Sequence, residues 1–206
     1  MSFDWLKDFA FNEYSQFGED GVLQAIFSVI RPANEWCFEC GAADGLFFSN
    51  TRRLIERGWK AALIEADRGA FDRLVDNSFP YTGAKCVNET VDAKHRLEGI
   101  LERCGVPTDL DLAVIDVDGQ EYYLFNSLLR YRPRVVLIEF DANAEEDFIP
   151  TLGGQGQAGA LAICRLAAGK FYTEVYRNFC NLIFVQQPLD RLLHDASGNI
   201  KLDSSA

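Results

Sequence analysis

The stretch LAVIDVDGQEYYLF, residues 112 to 125, ends an apolar run with two aspartates and a glycine. Three chemistries use such a group. Asp116 could be a phosphoryl-accepting nucleophile, as in phosphatases built on D-x-D-G; Asp116 and Asp118 could hold a metal; or both could line the mouth of a cofactor pocket. The phosphatase motif works when its first Asp ends the first strand of the fold and a Thr commonly follows the Gly. Here three strand-like segments precede Asp116, and Gln120 follows Gly119.

A second group is FECGAADG, 38 to 45, where Glu39 precedes and Asp44 lies between Gly41 and Gly45. Glycine lets backbone approach a ligand closely, and the acids can meet a cation. Glu65 ends another apolar run, where a carboxylate can accept both hydroxyls of a ribose. The two together read as a nucleoside-cofactor site. A dinucleotide fingerprint, G-x-G-x-x-G, would put pyrophosphate on a helix N-terminus, but this loop has Ala43 in place of the second glycine and Asp44 beside it. A negative loop suits a positive ligand, and S-adenosylmethionine carries an ammonium and a sulfonium against one carboxylate.

These residues need elements to position them. Val22, Leu23, Ile26, Phe27, Val29 and Ile30 share one helical stripe, with Glu19 and Asp20 in its first turn. Strands are predicted at 36 to 40, 60 to 65, 85 to 89, 111 to 116 and 134 to 140. Helices are predicted between them near 50 to 57 (Ser49 or Asn50 as cap), 69 to 76, 93 to 105 and 120 to 129, with another near 158 to 168. FYTEVYR and NLIFVQQ, with Asn178 between, read as a closing antiparallel hairpin. Single helices between strands demand crossovers, hence an α/β fold with a mostly parallel sheet and helices on both faces. Ligands then sit at the carboxyl ends of the strands.

With 206 residues, 48% of them hydrophobic, the chain suits one domain. The expected division is an amphipathic segment at 1 to 13, a domain at 14 to 190 and a loose tail at 191 to 206. In the first segment Phe3, Trp5, Leu6 and Phe9 can bury a face by core packing, with a lid or a homodimer contact as runner-up. No apolar run nears the ~20 residues of a membrane helix, and acids interrupt the N-terminal apolar positions, so no membrane partner and a cytoplasmic location are expected. A net charge of −11 argues against nucleic acid, even beside Arg130, Arg132 and Arg134. Cys37 and Cys40 form a C-x-x-C, but positions three apart on a strand face opposite ways, which suits reduced core thiols rather than zinc.

Four segments in this order, YSQFGEDGVLQAIF, FECGAADGLFFSNTRRLIERGWKAALIEAD, GVPTDLDLAVIDVDGQEYYLF and RPRVVLIEFDANA, resemble the FkbM-type branch of the S-adenosylmethionine-dependent methyltransferases. The resemblance runs from about Tyr14 to Pro188. It implies the Rossmann-like class I methyltransferase fold, a seven-stranded sheet with an antiparallel last strand. It sets the methionine part of the cofactor against Glu39, Gly41, Asp44 and Gly45, with Asn50 on the same side, and the ribose on Glu65. Asn88 and Glu89 would lie near the adenine and Asp116 near the sulfonium, with Ser15 to Gly21, Gln16 above all, folded over the pocket. Where close relatives read I-E-Y-N, this chain has Phe140 and Asp141.

Methyl transfer to oxygen needs alignment first and removal of the acceptor's proton second. Asp116 and Glu139 are the candidate catalytic acids, and Asp118, Tyr122 and Asn143 the candidates for touching a small-molecule or sugar acceptor. Asp116, Glu139 and Asn143 are also hard oxygen ligands of the kind Mg²⁺ accepts. His95 and His194 are lesser candidates for the base. A cofactor-binding protein without catalysis on the same fold is the main alternative.

Overall fold

A computed structural model describes residues 3–91 and 96–196; His95 and residues 197–206 lie outside them. Seven strands form one sheet: β1 (Trp36–Cys40), β2 (Lys60–Ile64), β3 (Ala84–Val87), β4 (Leu112–Ile115), β5 (Val135–Glu139), β6 (Tyr172–Arg177) and β7 (Asn181–Gln186). Their order is β3-β2-β1-β4-β5-β7-β6; all pairings from β3 to β5 are parallel, and β7 runs antiparallel to both neighbours. This is the Rossmann-like fold of class I methyltransferases. The central strands β1, β2, β4 and β5 run at or near the predicted positions because their side chains are largely apolar on both faces, as a doubly covered parallel sheet demands.

Helices α1 (Glu19–Ile30), α2 (Arg52–Glu56), α3 (Arg68–Ser78) and α7 (Asp190–Ala196) cover one face; α4 (Arg96–Cys104), α5 (Glu121–Ser127) and α6 (Ala160–Gly169) cover the other. Cys37 belongs to the first core and Cys40 to the second, opposite sides of β1, as strand alternation requires. Asp4–Phe9 forms a 3₁₀ turn whose Leu6 is fully buried, with Phe3, Trp5 and Phe9 packed on the first core. No helix among the described residues is long and apolar enough to cross a membrane.

The expected loose tail from 191 is corrected as far as Ala196. Leu193 in α7 is fully buried and the His194 ring lies 4.1 Å from that of Phe3, so an apolar contact with the N-terminal turn orders this stretch. That contact also takes His194 away from the strand ends.

At the carboxyl edge, Gly41 leaves β1 with φ +78°, and a Cβ there would stand 1.7 Å from the carbonyl oxygen of Asp116. The glycine is required because the chain leaving β1 crosses the end of β4 in backbone contact. Gly41→Ala is therefore expected to cost at least about 2 kcal/mol of folding stability, from the left-handed conformation plus the clash. Urea unfolding of the two proteins measures it, and equal midpoints would refute it.

Candidate cofactor and acid site

The strand order reverses between β1 and β4, which opens a crevice at the carboxyl edge. A cavity of about 700 Å³ occupies it. Of the predicted residues, Gln16, Glu39, Gly41, Asp44, Asn50, Glu65, Glu89, Asp116, Asp118 and Glu139 line this cavity. Gly45, Asn88, Tyr122 and Asn143 do not.

Those four have other duties. Gly45 is buried where a Cβ would meet Leu74 at 2.5 Å, so it lets α3 pack closely. The Asn88 amide donates to the carbonyls of Glu65 and Ala66, bracing the end of β2. Tyr122 packs on the second core. Asn143 is exposed, and its backbone N–H donates to Asp141 in a local turn.

The loop after β1 is organised by a buried acid. Glu39 accepts from the Ser49 hydroxyl (2.9 Å), the Asn50 N–H (2.9 Å) and the Thr51 hydroxyl (2.5 Å). Burial raises its pKa, and these three hydrogen bonds oppose the rise. Glu39 thus contributes a wall whose shape it sets, with both oxygens committed to protein donors. Asp44 accepts from the N–H groups of Leu46 and Phe47 in the same loop. Across the crevice Glu65 accepts from Ala43 N–H (2.8 Å) and Asp67 N–H (2.7 Å), one per oxygen, which leaves lone pairs toward the cavity.

The N-terminal motif is fastened to the far end of the sheet. Fully buried Glu19 accepts from the side-chain amides of Asn178 (2.6 Å) and Asn181 (2.7 Å) and from Phe17 N–H. Asp20 accepts from the N–H groups of Glu13, Tyr14 and Ser15. These bonds bring Gln16 to the cavity while the motif's own acids stay inside the protein.

The acids at β4 and β5 meet at the floor. Carboxylate oxygens of Asp116, Asp118 and Glu139 lie within 4.8 Å of one another. A turn, not strand alternation, brings the two aspartates together: β4 ends at Ile115, and Asp118 has φ +56°, so a left-handed turn returns it. The oxygen set includes Asp118, and Asn143 does not line the cavity. Burial, then neighbouring charges, raises Asp116 to about 7; burial and the adjacent Asp116 raise Glu139 to about 9. Two carboxyls this close and this buried titrate as a pair, with protonation favoured on both. Gln157 donates to Glu139, and Glu121 takes the N–H groups of Val117 and Gly119.

Sequence reasoning missed Asn181, Cys180, Gln157 and Arg73. Cys180, Asn181 and Arg73 line the cavity. Asn181 is there because β7 is antiparallel: its first residue pairs with Glu139, the last of β5. The reading of a closing antiparallel hairpin contained that signal. Two buried amide oxygens in the cavity wall, Asn50 Oδ1 and Asn181 Oδ1, have no protein partner. Such groups are costly unless something else donates to them. These acceptors fit S-adenosylmethionine, whose ammonium and ribose hydroxyls are donors.

No family model matches the chain, and no curated protein matches it in sequence. Solved structures share its fold. The N-terminal domain of EvdMO1, with S-adenosylhomocysteine bound, has TM-score 0.56 at 14% identity over 82% of this chain and 80% of that one. The N-methyltransferase NodS from Bradyrhizobium japonicum has TM-score 0.52 at 16% identity, covering 79% and 89%. A TehB-like S-adenosylmethionine-dependent methyltransferase from Corynebacterium glutamicum has TM-score 0.50 at 11% identity, covering 79% and 86%. At these identities the likeness establishes the fold.

The raised carboxyl pair makes stability depend on pH. Both groups bind a proton more tightly when folded, so their contribution is full below the unfolded values of 3.8 and 4.5 and is lost as pH rises toward about 7 and about 9. The ligand-free protein should therefore melt at progressively lower temperature between pH 5 and about 9. Glu139→Gln should flatten that slope in a thermal scan series; an unchanged slope would contradict the pairing.

Proposed function

We propose that the chain is an S-adenosylmethionine-dependent methyltransferase of the FkbM type, acting on a hydroxyl of a small-molecule or sugar acceptor. The observation that carries this reading is the convergence of the Asp116, Asp118 and Glu139 carboxyl oxygens in the cavity at the switch point of a class I methyltransferase fold. S-Adenosylhomocysteine bound to EvdMO1 supports the same cofactor here. So do Glu65 and the two orphan amide oxygens.

When bound, the cofactor supplies an electrophilic methyl group whose bonding pair stays with the departing sulfur. The chain supplies the rest. Glu65 accepts from the ribose hydroxyls, and Asn50 Oδ1 accepts from the ammonium. Asp116 and Glu139 receive the proton of the acceptor hydroxyl, a role for which a carboxylate pKa near working pH is the efficient choice. Asp118, at the exposed side of the pair, meets the acceptor.

Calorimetry with S-adenosylhomocysteine tests the cofactor part: binding is expected, and folded protein that gives no heat would sink the proposal. Glu65→Ala should weaken that binding by about 1.5 to 3 kcal/mol, the value of a charge-assisted hydrogen bond. Glu139→Gln should lower kcat on an accepted substrate by about a hundredfold or more while leaving cofactor affinity nearly unchanged. The wild-type rate should climb with pH as the pair gives up its proton.

The three oxygens of Asp116, Asp118 and Glu139 favour one second reading, a Mg²⁺ site in place of the shared proton. Turnover that survives dialysis against EDTA supports the acid pair. Loss restored only by Mg²⁺ supports the metal.

A further inference from the structure

Phenylalanine is displayed at the cavity mouth in a way that core packing does not explain. Phe47 and Phe48 line the cavity and are 68% and 44% exposed, with ring centroids 3.9 Å apart. Phe48 holds its ring there from a left-handed backbone, φ +61°, a conformation a bulky residue adopts only at a cost. A second pair, Phe17 and Phe179, is 37% and 66% exposed, with rings 5.7 Å apart. They directly follow Gln16 and directly precede Cys180, both of which line the cavity. The Asn178 amide donates to the Phe17 carbonyl, joining the two segments.

Eight phenylalanines are exposed among the described residues; Phe47 and Phe48 line the cavity, and Phe17 and Phe179 each adjoin in sequence a residue that does. Scattered apolar side chains on a surface are ordinary; a group rimming a cavity marks a ligand. Charge narrows the choice. Among the described residues, seven carboxylates line the cavity against one cation, Arg73, a balance that disfavours a phosphate, sulfate or carboxylate on the acceptor.

We infer that the acceptor is an uncharged aromatic alcohol of the phenol or naphthol class, its ring held by the Phe17–Phe179 and Phe47–Phe48 pairs and its hydroxyl directed to the acidic floor. The inference rests on the methyl-transfer reading above and selects among its acceptors. Edge or face contact with aromatic rings holds such a body, and the floor discriminates by hydrogen bonding to its hydroxyl.

The test is binding to the whole protein saturated with S-adenosylhomocysteine, with 2-naphthol, a naphthol sulfonate and methyl glucoside as probes, followed by fluorescence or calorimetry. Binding of 2-naphthol at least about tenfold tighter than either other probe supports the inference, as does a loss of about fivefold or more in a Phe17→Ala, Phe179→Ala double variant of unchanged melting temperature. Methyl glucoside binding as tightly as 2-naphthol, or the sulfonate doing so, overturns it and leaves methyl transfer standing. A double variant that binds 2-naphthol as the wild type does also overturns it. Absence of S-adenosylhomocysteine binding in the first step would remove the methyl-transfer reading and this inference together.

Discussion

The candidate site depends first on one buried carboxylate. Glu39 stands near the end of the central strand β1 and accepts hydrogen bonds from three consecutive residues, Ser49, Asn50 and Thr51. An acid at 3% exposure is tolerable only when its oxygens are satisfied, so the loop must return to it. That return places Asn50 in the cavity wall and delivers the chain into α2. The Ser49 hydroxyl itself accepts from the N–H groups of Thr51 and Arg52, so the network also supplies the cap of that short helix.

A comparable constraint acts at the other end of the cavity. Glu19, in the first turn of α1, is reached by amides from the β6–β7 connection and the start of β7, more than 150 residues away in sequence. The bond network holds the N-terminal motif against the sheet, and Gln16 reaches the cavity as a result. Two buried acids, each satisfied by neutral donors, thus define opposite walls without placing an ion pair in the site. The acidic floor between them has no such saturation, and its carboxyls instead retain a proton.

Local strain follows the same map. Among the described residues, three of the six non-glycine positions with positive φ, Ala43, Phe48 and Asp118, line the cavity. Each departs from ordinary backbone in a loop that leaves the carboxyl edge, where the sheet no longer dictates conformation. Strain and clustered acids both cost stability, and the buried central strands beneath them offset that cost.

The sequence by itself determined the strand and helix order, because apolar runs between amphipathic stretches leave little choice but a parallel sheet with both faces covered. It also determined that the acids at Glu39, Glu65, Glu89, Asp116 and Glu139 would share one edge, since each ends or closely follows a strand and parallel strands end together. Tertiary structure alone decided which groups face the cavity. Gly45 was spent on the packing of α3, Asn88 on the end of β2 and Asn143 on a local turn, because loop geometry has no period from which orientation can be read. It also decided that Asn181 joins the site. That residue arrives on an antiparallel strand from the far end of the chain, and only the pairing of β7 with β5 carries it beside Glu139.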